Sequence, residues 1–161
     1  MGIQLTPHFS LKEMTRSDTA VRLGIDNIPN DVYRGNLVLL CEHVLEPVRD
    51  HFGPVRVNSG YRSLAVNMSV NKMTATVTKV SQHCTGHAVD FEVDGVSNYD
   101  VAKWCVENIP DFDQVILEFY TPGEPNSGWV HVSWSKEKSR KEVLTAVNIN
   151  HKTEYRVGLI Q

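Results

Sequence analysis

The sequence predicts an α+β fold, in which N-terminal helices pack on a small, mostly antiparallel sheet. Three observations predict it. Residues 31–51 repeat apolar side chains at helical spacing, residues 87–93 alternate apolar and polar side chains, and strand-like segments follow in the second half of the chain. The 161 residues, 41% of them hydrophobic, are enough for one core, so we expect a single domain over 1–161.

The first 30 residues are predicted to hold one short helix. It covers residues 9–15, where Ser10 can cap the first turn and Glu13 follows three residues later. The polar segments 17–29 and 68–80 carry no clear periodicity, and we expect loops there.

The clearest helical pattern covers residues 31–51. Asn30 or Asp31 can cap its start, because both side chains accept hydrogen bonds from free backbone N–H groups. Pro47 lies inside the pattern and lacks a backbone N–H, so it predicts a kink or a restart. Gly53 marks the end of the helix.

The middle of the chain is predicted to mix strands and helices. Residues 54–58 are typical of a short strand, and 59–63 form a turn that leads to a short helix. Residues 87–93 are typical of a half-buried strand, and 98–108 of a helix capped by Asn98. Four more strands are expected towards the end of the chain: 113–119, 129–134, 142–149 and 154–160.

Strands 113–119 and 129–134 flank a turn-rich segment, 121–128, and are predicted to form a hairpin. A symmetric register pairs only apolar residues on one face: Phe119 with Val130, Leu117 with Val132 and Val115 with Trp134. The same register sets Glu118 opposite His131 on the other face, and a shift by two residues keeps both on that face.

The densest chemical segment is 81–90, with the sequence SQHCTGHAVD. His83 in a loop and Asp90 on the polar face of a strand can converge on one point. Catalytic zinc takes three protein ligands from His nitrogens and carboxylate oxygens, and leaves one position for water. The best candidate for the third ligand is His131, because Glu118 beside it can act as general base on the water.

Other interpretations remain open from the residues alone. A lone His in a strand is more often structural than a ligand. His87 lies four residues after His83, as in a helical metal motif, but Gly86 and the strand that starts at His87 argue against a helix. Cys84 is a good zinc donor, yet as the sequence neighbour of His83 it is expected to point away.

Three motifs, which follow one another along the chain as they do in the family, resemble the zinc D-alanyl-D-alanine carboxypeptidase family. That family includes phage endolysins and has a Hedgehog-like core. Residues 81–90 fit its SxHxxGxAxD signature, 59–63 (SGYRS) resemble its arginine motif, and 128–134 (GWVHVSW) its closing histidine motif. The helical lead-in 9–29 is similar as well, and the resemblance covers residues 9–135, which leaves strands 142–160 outside it.

The resemblance implies a role for each matched residue. His83, Asp90 and His131 match the zinc ligands. Arg62 matches an arginine that holds a substrate carboxylate or polarises the scissile carbonyl, and Ser81 is expected to form a hydrogen bond within the site. The implied protein is a monomeric zinc peptidase that hydrolyses peptidoglycan stem or cross-link peptides, as a D-Ala-D-Ala carboxypeptidase or as an endopeptidase of the endolysin type.

The sequence departs from the family at one position with consequences for catalysis. Many relatives place an acidic residue three positions before the last His, where this chain has Gly128. The base must then come from elsewhere, with Glu118 as first choice and Glu124 as second. The departure also leaves an alternative open: a non-catalytic zinc-binding structural or interaction protein of the same fold, such as a virion component.

Charge and hydropathy limit the partners and the location. A net charge of −3 gives no basic excess for binding nucleic acid, and the basic run 135–141 is expected to be a solvated turn. No apolar run has the length of a membrane span or a signal peptide. We therefore expect synthesis in the cytoplasm and action on the cell wall after release, as for a phage-encoded enzyme.

Overall fold

A computed structural model describes residues 2–71 and 81–161 and has the predicted α+β architecture. The described residues form six α-helices: α1 Leu11–Thr15, α2 Asp18–Leu23, α3 Asp31–Leu40, α4 Glu46–Phe52, α5 Leu64–Asn71 and α6 Asn98–Asn108. They also form eight strands: β1 Gln4–Thr6, β2 Phe9–Ser10, β3 Arg56–Ser59, β4 Ala88–Glu92, β5 Gln114–Glu118, β6 Trp129–Ser133, β7 Glu142–Ile149 and β8 Lys152–Val157.

The main sheet has six strands in the order β3-β4-β6-β5-β7-β8, and β1 pairs with β2 separately. Every neighbouring pair in the main sheet is antiparallel except β5 and β7, which run parallel. The sheet is thus mostly antiparallel, as predicted. No helix in the described part of the chain is long and apolar enough to cross a membrane.

One face of the sheet packs on the helices and forms the core. Val89 and Phe91 of β4 are fully buried there, as are Val115 and Leu117 of β5. The opposite face carries the intervening residues, among them Asp90. This alternation, which the sequence of 87–93 predicts, separates a hydrophobic face from the face that holds the candidate site.

The long helical pattern is interrupted by a π-helical turn, Cys41–Leu45, between α3 and α4. Pro47 is the second residue of α4, so the predicted break occurs just before it. Proline has no N–H to donate and its ring crowds the preceding turn, which a wider π-turn relieves. Asn30 is the cap, and its side chain accepts a hydrogen bond from the Tyr33 N–H at 2.8 Å.

Several local predictions differ from the structure, among them the last strand, which is Lys152–Val157 rather than 154–160. Segment 17–29 contains α2, whose first turn is capped by Ser17, rather than only loop. Helix α5 extends to Asn71, so residues 68–71 of the expected loop are helical, and residues 72–80 of it lie outside the described residues. Residues 9–10 belong to β2, and the helix that Ser10 caps begins at Leu11.

The predicted cap of α6 is also wrong by one residue. Ser97 is the cap, and its hydroxyl accepts a hydrogen bond from the Asp100 N–H at 3.0 Å. Asn98 is 1% exposed, and its amide donates to Glu92 at 3.1 Å and to the Gly128 carbonyl at 3.1 Å. It therefore joins α6 to the hairpin loop instead of capping the helix.

The β5–β6 hairpin has the predicted partners but a register shifted by two residues. Leu117 pairs with Val130, and Ile116, not Glu118, lies opposite His131. The physical reason is Phe119, whose φ of 58° ends β5 at Glu118 and lengthens the loop. An even shift preserves the faces, so Glu118 still lies on the same face as His131.

Candidate active site

Three buried side chains from separate parts of the chain converge at the polar face of the sheet. His83 lies on a short 3₁₀ helix, Gln82–Thr85, Asp90 lies on β4, and His131 is its direct partner on β6. Their donor atoms all lie within 4.8 Å of one another. The three residues are 2–8% exposed. The structure thus brings together the three predicted ligands, which we name the His–Asp–His cluster.

Backbone contacts fix the position of His83. Ser81 caps the 3₁₀ helix, since its hydroxyl accepts a hydrogen bond from the His83 N–H at 3.2 Å. Gly86 ends the turn at φ 78°, and a side chain there would meet the Tyr33 carbonyl oxygen at 2.6 Å. Ser81 therefore orients the backbone of His83, which is the role in the site that the structure favours for it.

The ring of His83 has a defined tautomer. Its Nδ1 lies 2.8 Å from the Gly60 carbonyl oxygen, which can only accept a hydrogen bond, so Nδ1 carries the proton. In the neutral ring the lone pair of Nε2 then faces the Asp90 carboxylate, with Nε2 3.3 Å from Oδ2. Two electron-rich atoms at this distance need a cation or a proton between them.

The electrostatics of the cluster favour a cation. Burial lowers the pKa of His83, which favours its neutral form. Burial alone would raise the pKa of Asp90, but the adjacent His83 and His131 hold it well below its usual range. Burial also opposes charge on His131, yet its hydrogen bond to Asp90 raises the pKa. Asp90 is therefore a stable anion in a desolvated position.

The donor set fits a divalent metal. Ligand atoms about 2.1 Å from a tetrahedral zinc lie about 3.4 Å from one another. Nε2 of His83 lies 3.3 Å from Oδ2 of Asp90, Nδ1 of His131 lies 2.9 Å from Oδ1 of Asp90, and one donor atom of each residue lies within 4.8 Å of the others. Two imidazole nitrogens and one carboxylate oxygen could hold such an ion and leave a fourth position free.

Glu118 lies beside the cluster without belonging to it. Its Oε1 is 3.7 Å from Nδ1 of His131, and its side chain is 17% exposed. Burial, followed by the charge of Asp90, raises the pKa of Glu118 to about 7. The carboxyl group can therefore exchange a proton near neutral pH. Glu124, the alternative base, is exposed in the hairpin loop, where its backbone bonds to Thr121 and Ser127.

Arg62 lies at the edge of the cluster. Its backbone N–H donates to the His83 carbonyl at 3.1 Å, and its charge contributes to the pKa values of His83 and Glu118. The guanidinium Nε is buried and has no hydrogen-bond partner within the described part of the chain. An unpaired buried donor costs free energy, so an acceptor oxygen that reached this atom would be bound favourably.

The two alternative ligands do not belong to the cluster. His87 places its Nδ1 2.7 Å from the Thr85 hydroxyl. Cys84 is buried, and burial raises the pKa of its thiol, which disfavours the thiolate that metals require.

Gly128 has a structural role that accounts for the missing acid. Its φ is 66°, and a Cβ there would run into the carbonyl oxygen of Glu118. No acidic side chain fits at position 128 in this backbone. The carboxyl group next to His131 comes from Glu118 instead.

Sequence reasoning missed a buried support beneath the site. Asp113 is completely buried and accepts hydrogen bonds from the side chains of Gln82, at 2.8 Å, and Arg140, at 2.8 Å and 2.9 Å. The 3₁₀ helix that carries His83 is thus tied to the segment before β7. The contacts join residues 27–31 positions apart, and the only signal in the sequence is the acid at the start of the predicted strand 113–119.

Comparisons with known proteins agree with the motifs. The profile of the family described as Peptidase M15 matches residues 7–133. The peptidoglycan L,D-endopeptidases MepK of Escherichia coli (strain K12) and of Shigella flexneri are each 36% identical to the chain over 50 residues. That match covers 31% of this chain and 28% of each relative, so it spans less than a third of their length. No solved structure matches significantly.

Proposed function

Because the chain belongs to the peptidase M15 family, the zinc D-alanyl-D-alanine carboxypeptidase family that its motifs resemble, we propose that it hydrolyses peptidoglycan stem or cross-link peptides with zinc. One observation carries the proposal: a buried His–Asp–His cluster with Glu118 3.7 Å from one of its ligands. The names of the MepK relatives support peptidoglycan as the substrate, and hence the cell wall as the place of action.

The metal would be held by Nε2 of His83, Nδ1 of His131 and one oxygen of Asp90. When bound, zinc supplies a Lewis acid that polarises the scissile carbonyl and makes a nucleophilic water available at neutral pH. Two nitrogens and one oxygen are a typical catalytic zinc set, which supports zinc over harder ions that prefer oxygen ligands only.

Glu118 acts as general base and then as general acid. Its carboxylate takes a proton from the attacking water and passes it to the leaving amine. A pKa raised towards 7 suits both transfers, because the group is neither too weak a base nor too weak an acid near neutral pH. Its separation from the ligand set keeps its oxygens free for this proton.

Arg62 binds an oxygen of the substrate. A guanidinium can clamp a carboxylate with two hydrogen bonds or stabilise charge on the scissile carbonyl. The unpartnered Nε of Arg62 supports either contact. A terminal carboxylate would make the protein a carboxypeptidase, whereas the relatives' name favours cleavage within the peptide.

Digestion of purified peptidoglycan tests the proposal. The zinc-loaded protein and its His131→Ala variant are incubated with the polymer, and the released fragments are identified by mass. We expect fragments from the wild type only, and their masses give the bond that is cut. Stoichiometric zinc in the wild type without any fragment would overturn the proposal and favour a binding protein of the same fold.

A further inference from the structure

The face of the sheet that holds the candidate site continues beyond Glu118 onto β7 and β8, which follow the region matched by the family. The strand registers align four residues in one row: Trp129 pairs with Glu118, Glu118 with Ala146, and Ala146 with Tyr155. Paired residues point to the same face of a sheet. Tyr155 therefore lies on the face of Glu118, on the side away from the His–Asp–His cluster.

The small residue between Glu118 and Tyr155 leaves room for their side chains to lean towards each other over β7. Ala146 is 0% exposed although only a methyl group projects from it, so the larger side chains beside it lie over it. Two strand spacings separate Tyr155 from Glu118, about 10 Å between Cα atoms. A tyrosine side chain spans most of that gap. Tyr155 is itself 57% exposed, which leaves its phenol accessible to a ligand.

The charges around the phenol agree with this orientation. Partial burial, followed by the negative charges of Glu118 and Asp90, raises the pKa of Tyr155. The phenol therefore faces the two carboxylates and stays protonated at neutral pH, so that it can donate a hydrogen bond.

We propose that Tyr155 is a substrate-positioning residue of the peptidase site, whose hydroxyl donates a hydrogen bond to an oxygen of the peptide where it extends past Glu118. The inference rests on the proposed function. It assigns part of the substrate site to the C-terminal hairpin, β7–β8, which lies outside the family match. The ring would form one wall of the site, and the hydroxyl would fix the peptide backbone against it.

Steady-state kinetics of the zinc-loaded full chain test it, with a soluble stem pentapeptide and its cross-linked dimer as probes. Loss of one hydrogen bond predicts a KM about five- to tenfold higher for Tyr155→Phe, with kcat within about twofold. Tyr155→Ala loses the wall as well and should raise KM further. Arg156→Ala, on the opposite face of β8, is the matched control and should behave like the wild type.

A binding measurement separates substrate contact from a general structural effect. In a Glu118→Gln background, which leaves the peptide uncut, adding Tyr155→Phe should weaken calorimetric affinity by the same factor, with zinc content and Tm unchanged. Equal KM and equal affinity with and without the hydroxyl would overturn this inference alone. Absence of cleavage by the wild type would overturn the proposed function, and this inference with it.

Discussion

Strands β4 and β8 belong to one sheet but differ in their surroundings. In β4, four of five residues are buried, including Asp90, whereas all six residues of β8 are exposed. A carboxylate in the first setting is stable only with partners, and His83 and His131 both lie within 3.3 Å of it. The phenol of Tyr155 on exposed β8 needs no partner within the protein, because water can reach it.

The difference in burial suits β4 to holding a metal ion and β8 to contacting a substrate. A metal site requires ligand positions fixed to a fraction of an ångström, which dense packing and backbone contacts to His83 provide. A contact to a substrate tolerates more freedom, and an exposed hairpin at the sheet edge supplies it. Substitutions are therefore expected to have smaller effects the further they lie from the His–Asp–His cluster.

The largest effect is expected from Asp90→Ala, which removes the central member of the proposed ligand set from β4. Zinc binding and peptide cleavage should both fall to background, because the two remaining imidazoles cannot hold the ion alone. Zinc content by mass spectrometry or absorption, together with the cleavage rate, measures it. Asp94→Ala, an exposed acid just beyond β4, is the control and should change neither. Full zinc occupancy in Asp90→Ala would contradict the assignment.

Glu118→Gln should lower kcat about 10²- to 10⁴-fold and leave the zinc content unchanged, since it removes the proposed general base and none of the proposed ligands. In the wild type, kcat/KM should fall as the pH drops and protonates Glu118. The pKa is raised to about 7 and a bound cation would lower it, so this acidic limb should lie between about pH 4.5 and 7.

Glu124→Gln is the control for the base. Its rate and pH profile should match the wild type, because Glu124 is exposed in the hairpin loop. The reverse result, with Glu124→Gln inactive and Glu118→Gln active, would exchange the two assignments.

Gly128→Glu restores the acid that many relatives carry, and we expect it to destabilise the fold by about 2–4 kcal/mol rather than to help catalysis. The new Cβ would run into the carbonyl of Glu118 at a φ of 66°. Urea unfolding measures the loss. An equally stable, more active Gly128→Glu variant would show that the hairpin loop adapts and that position 128 can carry the base.

Arg140→Ala should have the smallest effect, about 1–2 kcal/mol of stability at pH 7, because Arg140 is partly exposed and solvent screens its charge. Burial alone would raise the pKa of Asp113, but the hydrogen bonds from Arg140 lower this pKa to about 2. A lowered carboxyl pKa stabilises the fold above the ordinary value of 3.8, and this stabilisation is lost as the pH falls towards 2.

Urea unfolding at pH 7 and pH 3 checks this prediction. The difference between wild type and Arg140→Ala should shrink at the lower pH. A difference that is constant with pH would mean that Arg140 contributes packing and not charge.

Local periodicity made much of the fold predictable. The alternation around Val89 and Phe91 identified β4 and its faces, because successive side chains of a strand point to opposite faces of the sheet. The motif around His83 and Asp90 identified two cluster residues. Glu118 was placed on the correct face of the sheet although the predicted register was wrong by two residues.

Long-range and conformational features were not predictable. Phe119 ends β5 with a left-handed backbone that is rare for such a residue, so nothing in the sequence marked the register shift. The parallel pairing of β5 with β7 and the contact of Asp113 with Arg140 depend on the assembled sheet. Ser97 and Asn98 are both good caps, and the hydrogen bond from the Asn98 amide to Glu92 decides between them.

Titration of the metal-free protein with zinc tests most directly whether the His–Asp–His cluster is the centre of a zinc peptidase. Cleavage of a peptidoglycan stem peptide is followed as zinc is added in steps to the wild type. We predict no activity without metal, a linear rise and saturation at about one equivalent. Full activity of the metal-free protein, or no activity at saturating zinc, would contradict this assignment.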